Sequence, residues 1–423
     1  MKIRKLLITL TLICSLQTQA QDLQSLAKIL QEMTKETNPA KNVRTMKHAI
    51  KTQNLDPIKH SEEIDIMKGI IALSYLDNQQ LKKFEKYIDL IKNKFNQTSY
   101  QNMASDKLIN QGKNLVYAES LAEKTALNYQ NYKNDPSARP KTINIENWNR
   151  FMQMAAYPYY VTYAKLLAEN GKPIKALSYL ELAFQTLDPA MAEVAVIELY
   201  ASLLEKNKQI QKSYEILLKM ATIGKANSKM IAQLSKLHLE KSNDLDITKQ
   251  FVTELKNNVR EMYKKEVAAK MIDGGSAPNF ELINLDGDTV KLQDFKGKIV
   301  LIDFWATWCA PCIASLPTLE TLSKKHTDVV FLFISTQETG TNIPEKVKEF
   351  IKKSHLDIQV LLDLPVGPDN SMYAVGKSYQ IKGIPAKMLI DKKGKLRFSS
   401  EGFTSVAELT NELEAMISIA NSL

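Results

Sequence analysis

The chain has 423 residues, three cysteines and a formal net charge of +9, and this length allows two or three domains. Its lysines are spread along amphipathic segments without interleaved aromatic side chains, which argues against a nucleic-acid-binding surface. No segment resembles a nucleotide-binding motif.

The N-terminus has the pattern of a secretory signal peptide. A basic start, which includes Lys2 and Arg4, precedes an apolar stretch at residues 6–16, and the small residue Ala20 stands at the cleavage position. The apolar stretch is about 11 residues long, whereas a membrane-spanning helix needs roughly 20. We therefore predict a signal peptide over residues 1–20, no transmembrane helix in the rest of the chain, and export to the periplasm or cell envelope.

The cysteine count restricts the disulfide chemistry. Cys14 would leave with the signal peptide, and a lipid anchor on Cys14 is disfavoured because Ile13 stands where a lipobox needs a small side chain. The mature chain then holds only Cys309 and Cys312, which provide no structural disulfide framework. A bridge that closes so short a loop would constrain the unfolded chain little, and zinc would need two further ligands at suitable spacing. We predict no metal site.

Residues 21–270 have the pattern of an α-helical array. The region is poor in Gly and Pro, and residues 164–172 resemble residues 201–209, at an offset of 37 positions. A polar turn and a second amphipathic segment follow each copy. Units of this size resemble tetratricopeptide repeats, whose usual period is about 34 residues, although full consensus positions are missing. A generic helical array without a peptide groove is the alternative, and either one would present a broad surface for a protein partner or for self-association.

The composition changes at residues 274–278, after which short β-branched stretches alternate with amphipathic segments. We predict a linker over residues 271–278 and an α/β domain over residues 279–423. The predicted elements of this domain are, in chain order, a hairpin with strands at 280–284 and 289–292, a buried strand at 299–304, a helix at 313–325, an apolar strand at 329–335, an inserted helix at 344–355, a strand at 358–362, a helix at 370–379, a hairpin with strands at 386–390 and 395–399, and a helix at 405–419.

Two cysteines three positions apart lie between the buried strand and the first helix of this domain. Cys309 would lie at the N-terminus of the helix, where unpaired backbone N–H groups and the helix dipole favour the thiolate. Cys312 would lie one turn further on, near enough to close a disulfide with Cys309. This arrangement predicts that the pair exchanges electrons with the disulfides of other molecules. The Cys309–Cys312 disulfide is then the redox group, and we predict no separate cofactor.

The order of elements resembles a thioredoxin fold over residues 277–423. More closely, it is similar to the TlpA/ResA family of exported thiol–disulfide oxidoreductases. The resemblance is carried by Ala-Pro-Asn-Phe at 277–280, the approach at 292–298, Trp-Cys-Ala-Pro-Cys at 308–312, the inserted helix, and Gly-Ile-Pro at 383–385. The predicted fold class is therefore an N-terminal, repeat-like α-helical array followed by a C-terminal thioredoxin fold.

The resemblance implies roles for the residues around the cysteine pair. Cys309 attacks a substrate disulfide to form a mixed disulfide, and Cys312 resolves it. Pro385 matches the cis-proline of the family, and the backbone of Ile384 beside it is expected to meet the substrate. Trp308 is expected to shape the rim of the site. The expected substrate-binding residues are Trp308, Ile384 and Pro311.

Asp303 lies six residues before Cys309, within the apolar strand. It matches the buried acid of thioredoxins, which shuttles a proton for Cys312, and burial would raise its pKa. A strand-end aspartate that hydrogen-bonds a helix terminus is the alternative that the sequence leaves open.

Two positions depart from the family pattern. Ser315 stands where members close to ResA carry Glu, which puts a role in cytochrome c maturation in doubt. Ala386 stands where the cis-proline is usually followed by Thr, and the next residue, Lys387, is expected to face solvent.

The leading hypothesis is an exported protein-disulfide reductase. The pair Ala310-Pro311 adds no charge between the cysteines, Pro311 stiffens the turn, and the His that precedes the second cysteine in strong oxidants of the DsbA type is absent. The expected partners are disulfide-containing proteins and a membrane thiol transporter of the CcdA/DsbD kind. Three alternatives stay open: a disulfide oxidase or isomerase, a peroxidase, for which Thr307 is one position away from the expected place, and a non-enzymatic protein whose helical region binds a partner.

Overall fold

The computed structural model describes residues 20–141, 143–367 and 372–423. The predicted signal peptide lies outside the described residues, apart from Ala20, at which the first helix begins. The chain divides into two compact units, Met1–Ser213 and Tyr214–Leu423.

The first unit is α-helical throughout its described residues, apart from turns and short 3-10 segments. Its helices are α1 (Ala20–Lys35), α2 (Pro39–Thr52), α3 (Ser61–Asp77), α4 (Leu81–Asp89), α5 (Lys94–Asn110), α6 (Leu115–Tyr132), α7 (Ile145–Glu169), α8 (Pro173–Ala183), α9 (Val194–Lys206) and the start of α10 (Ile210–Thr222). Asparagine side chains cap three of them: Asn38, Asn93 and Asn144 accept hydrogen bonds from the backbone N–H groups of α2, α5 and α7.

The two copies of the internal repeat end their helices in the same way. In the first copy, Gly171 has a φ of 75° and the N–H of Lys172 donates to the carbonyl of Leu167 at 2.8 Å. In the second copy, 37 positions later, Lys208 has a φ of 61° and the N–H of Gln209 donates to Leu204 at 2.8 Å. The repeat is therefore a real helix–turn–helix unit, while its assignment as a tetratricopeptide repeat stays a prediction.

The second unit begins within α10 and contains a seven-stranded sheet. Its elements are α11 (Ser228–Ser242), α12 (Leu245–Ala269), β1 (Glu281–Asn284), β2 (Thr289–Lys291), β3 (Ile299–Trp305), α13 (Ala310–Lys325), β4 (Val329–Ser335), α14 (Ile343–Ser354), β5 (Val360–Leu362), β6 (Pro365–Val366), β7 (Met372–Tyr373), α15 (Ala374–Ser378), β8 (Ala386–Ile390), β9 (Leu396–Glu401) and α16 (Val406–Asn421). The strand order is β2-β1-β5-β4-β3-β8-β9, with β6 and β7 forming a separate antiparallel pair.

The centre of the sheet is parallel, with β4 between β3 and β5, and β8 pairs antiparallel with β3. Every residue of β3 is buried, because helices or connecting segments cover both faces. Side chains of β3 alternate between two cores: Leu301 and Trp305 lie with the apolar residues of α13 and α16, whereas Ile302 and Phe304 lie on the opposite face. This alternation decides which side of the sheet each polar residue of β3 faces.

The predicted elements of this domain are found, with two differences. Among the described residues, the helix predicted at 370–379 is limited to Ala374–Ser378, and its first two positions lie outside the described residues. The second difference is an additional pair of short strands, β6 and β7, in which Met372 and Tyr373 pair with β6. Strands of two residues are too short to give a periodic signal in the sequence.

The segment predicted as a linker runs beside β9 and is held there by backbone hydrogen bonds. The N–H of Ile272 donates to Arg397, the N–H of Leu396 donates to Gly275, and the N–H of Ala277 donates to Gly394. The compact unit also includes α11 and α12, which lie within residues 21–270, the region predicted to be a helical array. The domain boundary at residues 271–278 stays a prediction, and the segment is an ordered part of the second unit.

No helix within the described part of the chain combines the length and apolar character needed to cross a membrane.

Candidate active site

The two cysteines lie at the junction between β3 and α13. Cys309 caps the N-terminus of α13, and its Sγ accepts a hydrogen bond from the N–H of Cys312 at 3.3 Å. Pro311 lies in the first turn of the helix, where a backbone N–H would have no intrahelical partner, so the proline costs no hydrogen bond. The sequence predicted this placement of both cysteines.

Cys309 and Cys312 form a disulfide, with their Cα atoms 5.2 Å apart. Cys309 is 4% exposed and Cys312 is fully buried among the side chains that α13 packs against the sheet. The more accessible cysteine is thus the one at the helix N-terminus, where a thiolate is favoured by free backbone N–H groups and by the helix dipole.

The Ile384–Pro385 peptide bond is cis, as the resemblance implied. It directly precedes β8, whose first residue, Ala386, lies opposite Phe304 of β3. Pro385 is buried and Ile384 is partly exposed. The register therefore brings the cis-proline to the end of the sheet at which the cysteine turn follows β3.

Asp303 is buried on the face of β3 that α13 covers. It alternates with Leu301 and Trp305, which lie in the same core as Cys312, so its carboxylate faces the cysteine helix rather than the opposite side of the sheet. Burial is the main cause that raises the pKa of Asp303 to about 6, and the nearby Lys387 opposes the rise. Neither carboxylate oxygen has a hydrogen-bond partner among the described residues.

Lys387 is buried, and the expectation that it faces solvent is wrong. It lies directly opposite Asp303 in the antiparallel pair of β3 and β8, and its Nζ lies 3.5 Å from Oδ1 of Asp303 and donates to the carbonyl of Gly402 at 3.3 Å. The 3.5 Å separation makes an ion pair without hydrogen-bond geometry. Because β8 is buried along its whole length, it offers no solvent face to Lys387.

Trp308, at the exposed side of the cysteine turn, is 51% exposed, and its Nε1–H donates to the carbonyl of Gln337 at 2.7 Å. Its position at the rim agrees with the sequence analysis. Ser315, the departure from the family pattern, is buried, and its hydroxyl donates to the carbonyl of Cys312 at 2.8 Å.

Sequence reasoning missed Glu338, a buried carboxylate in the loop after β4. Both of its oxygens accept hydrogen bonds from Thr307, two residues before Cys309. The available signal was its position: β3 and β4 are adjacent and parallel, so the segments that follow them meet at one edge of the sheet.

Among the residues that the structure describes, no group of three or more His, Cys, Asp or Glu side chains is arranged to hold a metal ion.

A mixed sheet with a parallel centre, a disulfide at the N-terminus of the helix that follows β3, and a cis-proline before β8 define a thioredoxin-fold protein. Residues 272–415 match the protein-family model described as Redoxin. This match and the sheet topology confirm the predicted fold class, a helical region followed by a thioredoxin-like domain.

The relatives place the chain more closely. It is 34% identical over 145 residues to the thiol-disulfide oxidoreductase ResA of Bacillus thuringiensis subsp. konkukian, an alignment that covers 34% of this chain and 79% of the relative. It is 30% identical over 151 residues to the thioredoxin-like protein YneN of Bacillus subtilis, which covers 36% of this chain and 83% of that protein. The chain belongs to the TlpA/ResA-like family of thiol-disulfide oxidoreductases.

A crystal structure of the thioredoxin domain of a thiol-disulfide oxidoreductase from Bacteroides vulgatus is also similar, with 29% identity and a TM-score of 0.29. The match covers 34% of this chain and 96% of that domain.

Proposed function

We propose that this thiol-disulfide oxidoreductase is an exported reductase of protein disulfides that works through Cys309 and Cys312. The observation that carries the proposal is the position of Cys309: its sulfur accepts the N–H of Cys312 at the start of α13, which supports a thiolate there. The two residues between the cysteines add no charged or hydrogen-bonding side chain that would stabilise this thiolate further and make the pair a strong oxidant.

The reaction transfers two electrons from the reduced pair to a substrate disulfide. The Cys309 thiolate attacks one substrate sulfur, a mixed disulfide forms, and the other substrate sulfur leaves as a thiolate. Cys312 then loses its proton and attacks the Sγ of Cys309, which releases the second substrate sulfur and closes the Cys309–Cys312 disulfide. Each released thiolate takes up one proton, so the products are a dithiol substrate and an oxidised pair.

Asp303 is the group proposed to accept the proton of Cys312. It lies on the same side of the sheet as α13, and with a pKa of about 6 it is mostly ionised at neutral pH yet close enough to that pH to release the proton again. The cation of Lys387 opposes the effect of burial and so keeps the carboxylate available as a base.

The compartment and the partners are part of the same proposal. The pattern at residues 1–20 supports export, and family membership supports disulfide-containing proteins as substrates. A reductase outside the cytoplasm has no access to NADPH, so a membrane thiol transporter of the CcdA/DsbD kind is the proposed electron donor. The helical region before residue 271 is the proposed docking surface for a protein partner.

The reduction potential of the Cys309–Cys312 pair tests the direction of electron flow. The full chain is equilibrated with thiol–disulfide buffers and followed by Trp308 fluorescence, with Trp308→Phe identifying the signal of that side chain and mass measurement after alkylation counting free thiols. A value near that of thioredoxin, about −270 mV, is expected for a reductase. A value near about −120 mV would make the pair an oxidant and overturn the proposed direction.

A further inference from the structure

Glu338 is a buried carboxylate whose hydrogen bonds converge on the turn before Cys309. Its side chain is 1% exposed. Oε1 accepts from the N–H of Thr307 at 2.5 Å and from the hydroxyl of Ser335 at 3.3 Å, while Oε2 accepts from the hydroxyl of Thr307 at 2.8 Å and from Nζ of Lys346 at 2.7 Å. An ionised carboxylate has about four acceptor sites, and these four donors occupy them.

The contact with the N–H of Thr307 is transmitted to Cys309 through one peptide group. The N–H of Thr307 and the carbonyl of Ala306 belong to the same planar unit, so fixing one fixes the other. The carbonyl of Ala306 in turn accepts the N–H of Cys309 at 3.1 Å. Glu338 therefore sets the orientation of the peptide to which the backbone of Cys309 is bonded.

The residues beside Glu338 hold the same turn at two further points. The N–H of Thr336 donates to the carbonyl of Trp305 at 2.9 Å, and Nε1–H of Trp308 donates to the carbonyl of Gln337 at 2.7 Å. The loop after β4 is thus bonded to the residues on both sides of Ala306. The inserted helix α14 supports this loop through Lys346, which also donates to the carbonyl of Thr339 at 3.3 Å.

We propose that Glu338 is a positioning residue for Cys309: it clamps the turn at residues 306–308 so that the sulfur of Cys309 stays in register with the N–H of Cys312 at the start of α13. The proposal rests on the role of Cys309 as the attacking thiol, and it is independent of the direction of electron flow.

Removing the carboxylate of Glu338 would change the pKa of the Cys309 thiol in two ways, and the two changes have opposite signs. Loss of a nearby negative charge would by itself favour the thiolate and lower the pKa of the thiol. Loss of the clamp lets the turn move away from the helix N-terminus, which weakens the bond from Cys312 and raises that pKa. The sign of the change in Glu338→Gln therefore separates a clamp from a simple electrostatic neighbour.

The test measures the alkylation of the reduced full-length chain by iodoacetamide as a function of pH, with mass spectrometry to show that Cys309 is the residue modified. We expect the midpoint of the profile to move to higher pH in Glu338→Gln and the rate at pH 6 to fall by about threefold to tenfold. Glu349→Gln is the matched control, because Glu349 lies on the same inserted helix as Lys346, is 70% exposed, and gives the same change in net charge.

Thr307→Val is the second variant, since it keeps the backbone bond to Glu338 but loses the hydroxyl bond. A smaller shift in the same direction is expected, and thermal unfolding is measured for each variant to confirm that it is folded. If Glu338→Gln does not fold, Thr307→Val carries the test. A profile that coincides with that of Glu349→Gln, or that moves to lower pH, overturns the clamp. Alkylation at Cys312 instead of Cys309 would overturn the proposed function itself.

Discussion

Asp303 and Lys387 are held in the core of the sheet by the pairing of β3 with β8. Their side chains lie opposite each other, and the pair is buried from solvent on both sides. Burial disfavours the ionised carboxylate, and the partner cation compensates only in part, since the pKa of Asp303 is still raised to about 6. Ionisation of Asp303 within this core therefore costs stability.

That cost has a defined pH dependence. Because the pKa of Asp303 in the folded chain is raised from 3.8 to about 6, the folded state binds the proton more tightly than the unfolded state. The free energy of unfolding that protonation of Asp303 contributes is fully present below pH 3.8 and is lost as the pH rises through 6. The raised pKa corresponds to about 3 kcal/mol in the free energy of unfolding.

The wild type is expected to lose this amount of stability as the pH rises from 4 to 7, whereas the double variant Asp303→Asn/Lys387→Met is expected not to lose it. The difference in the free energy of unfolding between the two proteins should therefore grow by this amount over that range. Urea unfolding of both oxidised proteins at several pH values in this range measures the difference. The double variant removes both charges, so no lone buried cation is left. Parallel stability curves for the two proteins would show that Asp303 is not destabilised when it ionises.

The sequence predicts the positions of those site residues that are set by elements adjacent along the chain. Cys309 and Cys312 are placed by a strand, a short turn and a helix that follow one another, so their positions were correct from the sequence. Lys387 was placed wrongly and Glu338 was missed, because each meets the site through a neighbouring strand. Which residue lies opposite Asp303 depends on the register of two strands more than 80 positions apart, which no local pattern fixes.

At the scale of elements, the segment at residues 271–278, predicted as a linker from its composition, is ordered by its contacts with β9 and the turn before it. Gly274 and Gly275 are typical of a flexible connection, but the backbone here runs close against β9. A Cβ at position 274 would lie 2.3 Å from the carbonyl oxygen of Leu396, whereas a Cβ at position 275 would meet no described atom within 4 Å. The first glycine is needed for close approach and the second is not.

These two glycines make a matched pair of variants. Gly274→Ala is expected to lower the free energy of unfolding by about 1–3 kcal/mol, because β9 or the segment has to move to make room. Gly275→Ala is expected to change it by less than about 0.5 kcal/mol. Chemical unfolding of the two variants checks this. A Gly274→Ala effect as small as that expected for Gly275→Ala would contradict the close approach of this segment to Leu396.

The strands and helices around the site could be predicted where their hydrophobic patterns extend over many residues. β3 and β4 are continuous apolar stretches and were found within a residue of their bounds, and the inserted helix was found within one residue at each end. β6 and β7 have two residues each and depend on their pairing with each other, so only the folded chain defines them.

For the whole molecule, the open question from the sequence was where the helical region ends. α12 is amphipathic, and a sequence pattern does not say which partner takes its apolar face. In the structure Val267 lies in the core of the second unit and Tyr263 packs against that core. The carbonyl of Gly224, between α10 and α11, accepts a hydrogen bond from the side chain of Asn411 on α16 at 3.0 Å. Within the second unit, α12 and the turn between α10 and α11 therefore support the thioredoxin-like domain directly.

Two fragments separate this arrangement from an independent domain that begins at residue 271. A fragment of residues 208–423 keeps α10 to α12. It is expected to unfold cooperatively and to have the same reduction potential as the full chain. A fragment of residues 271–423 loses the contacts of Tyr263 and Val267, and burial of two such side chains is worth about 3–6 kcal/mol, so it is expected to be less stable by a comparable amount. Unfolding in urea and the thiol-buffer titration measure both properties. Equal stability of the two fragments would mean that α10 to α12 do not stabilise the domain that carries Cys309. The helical region would then end at Gly274 and Gly275.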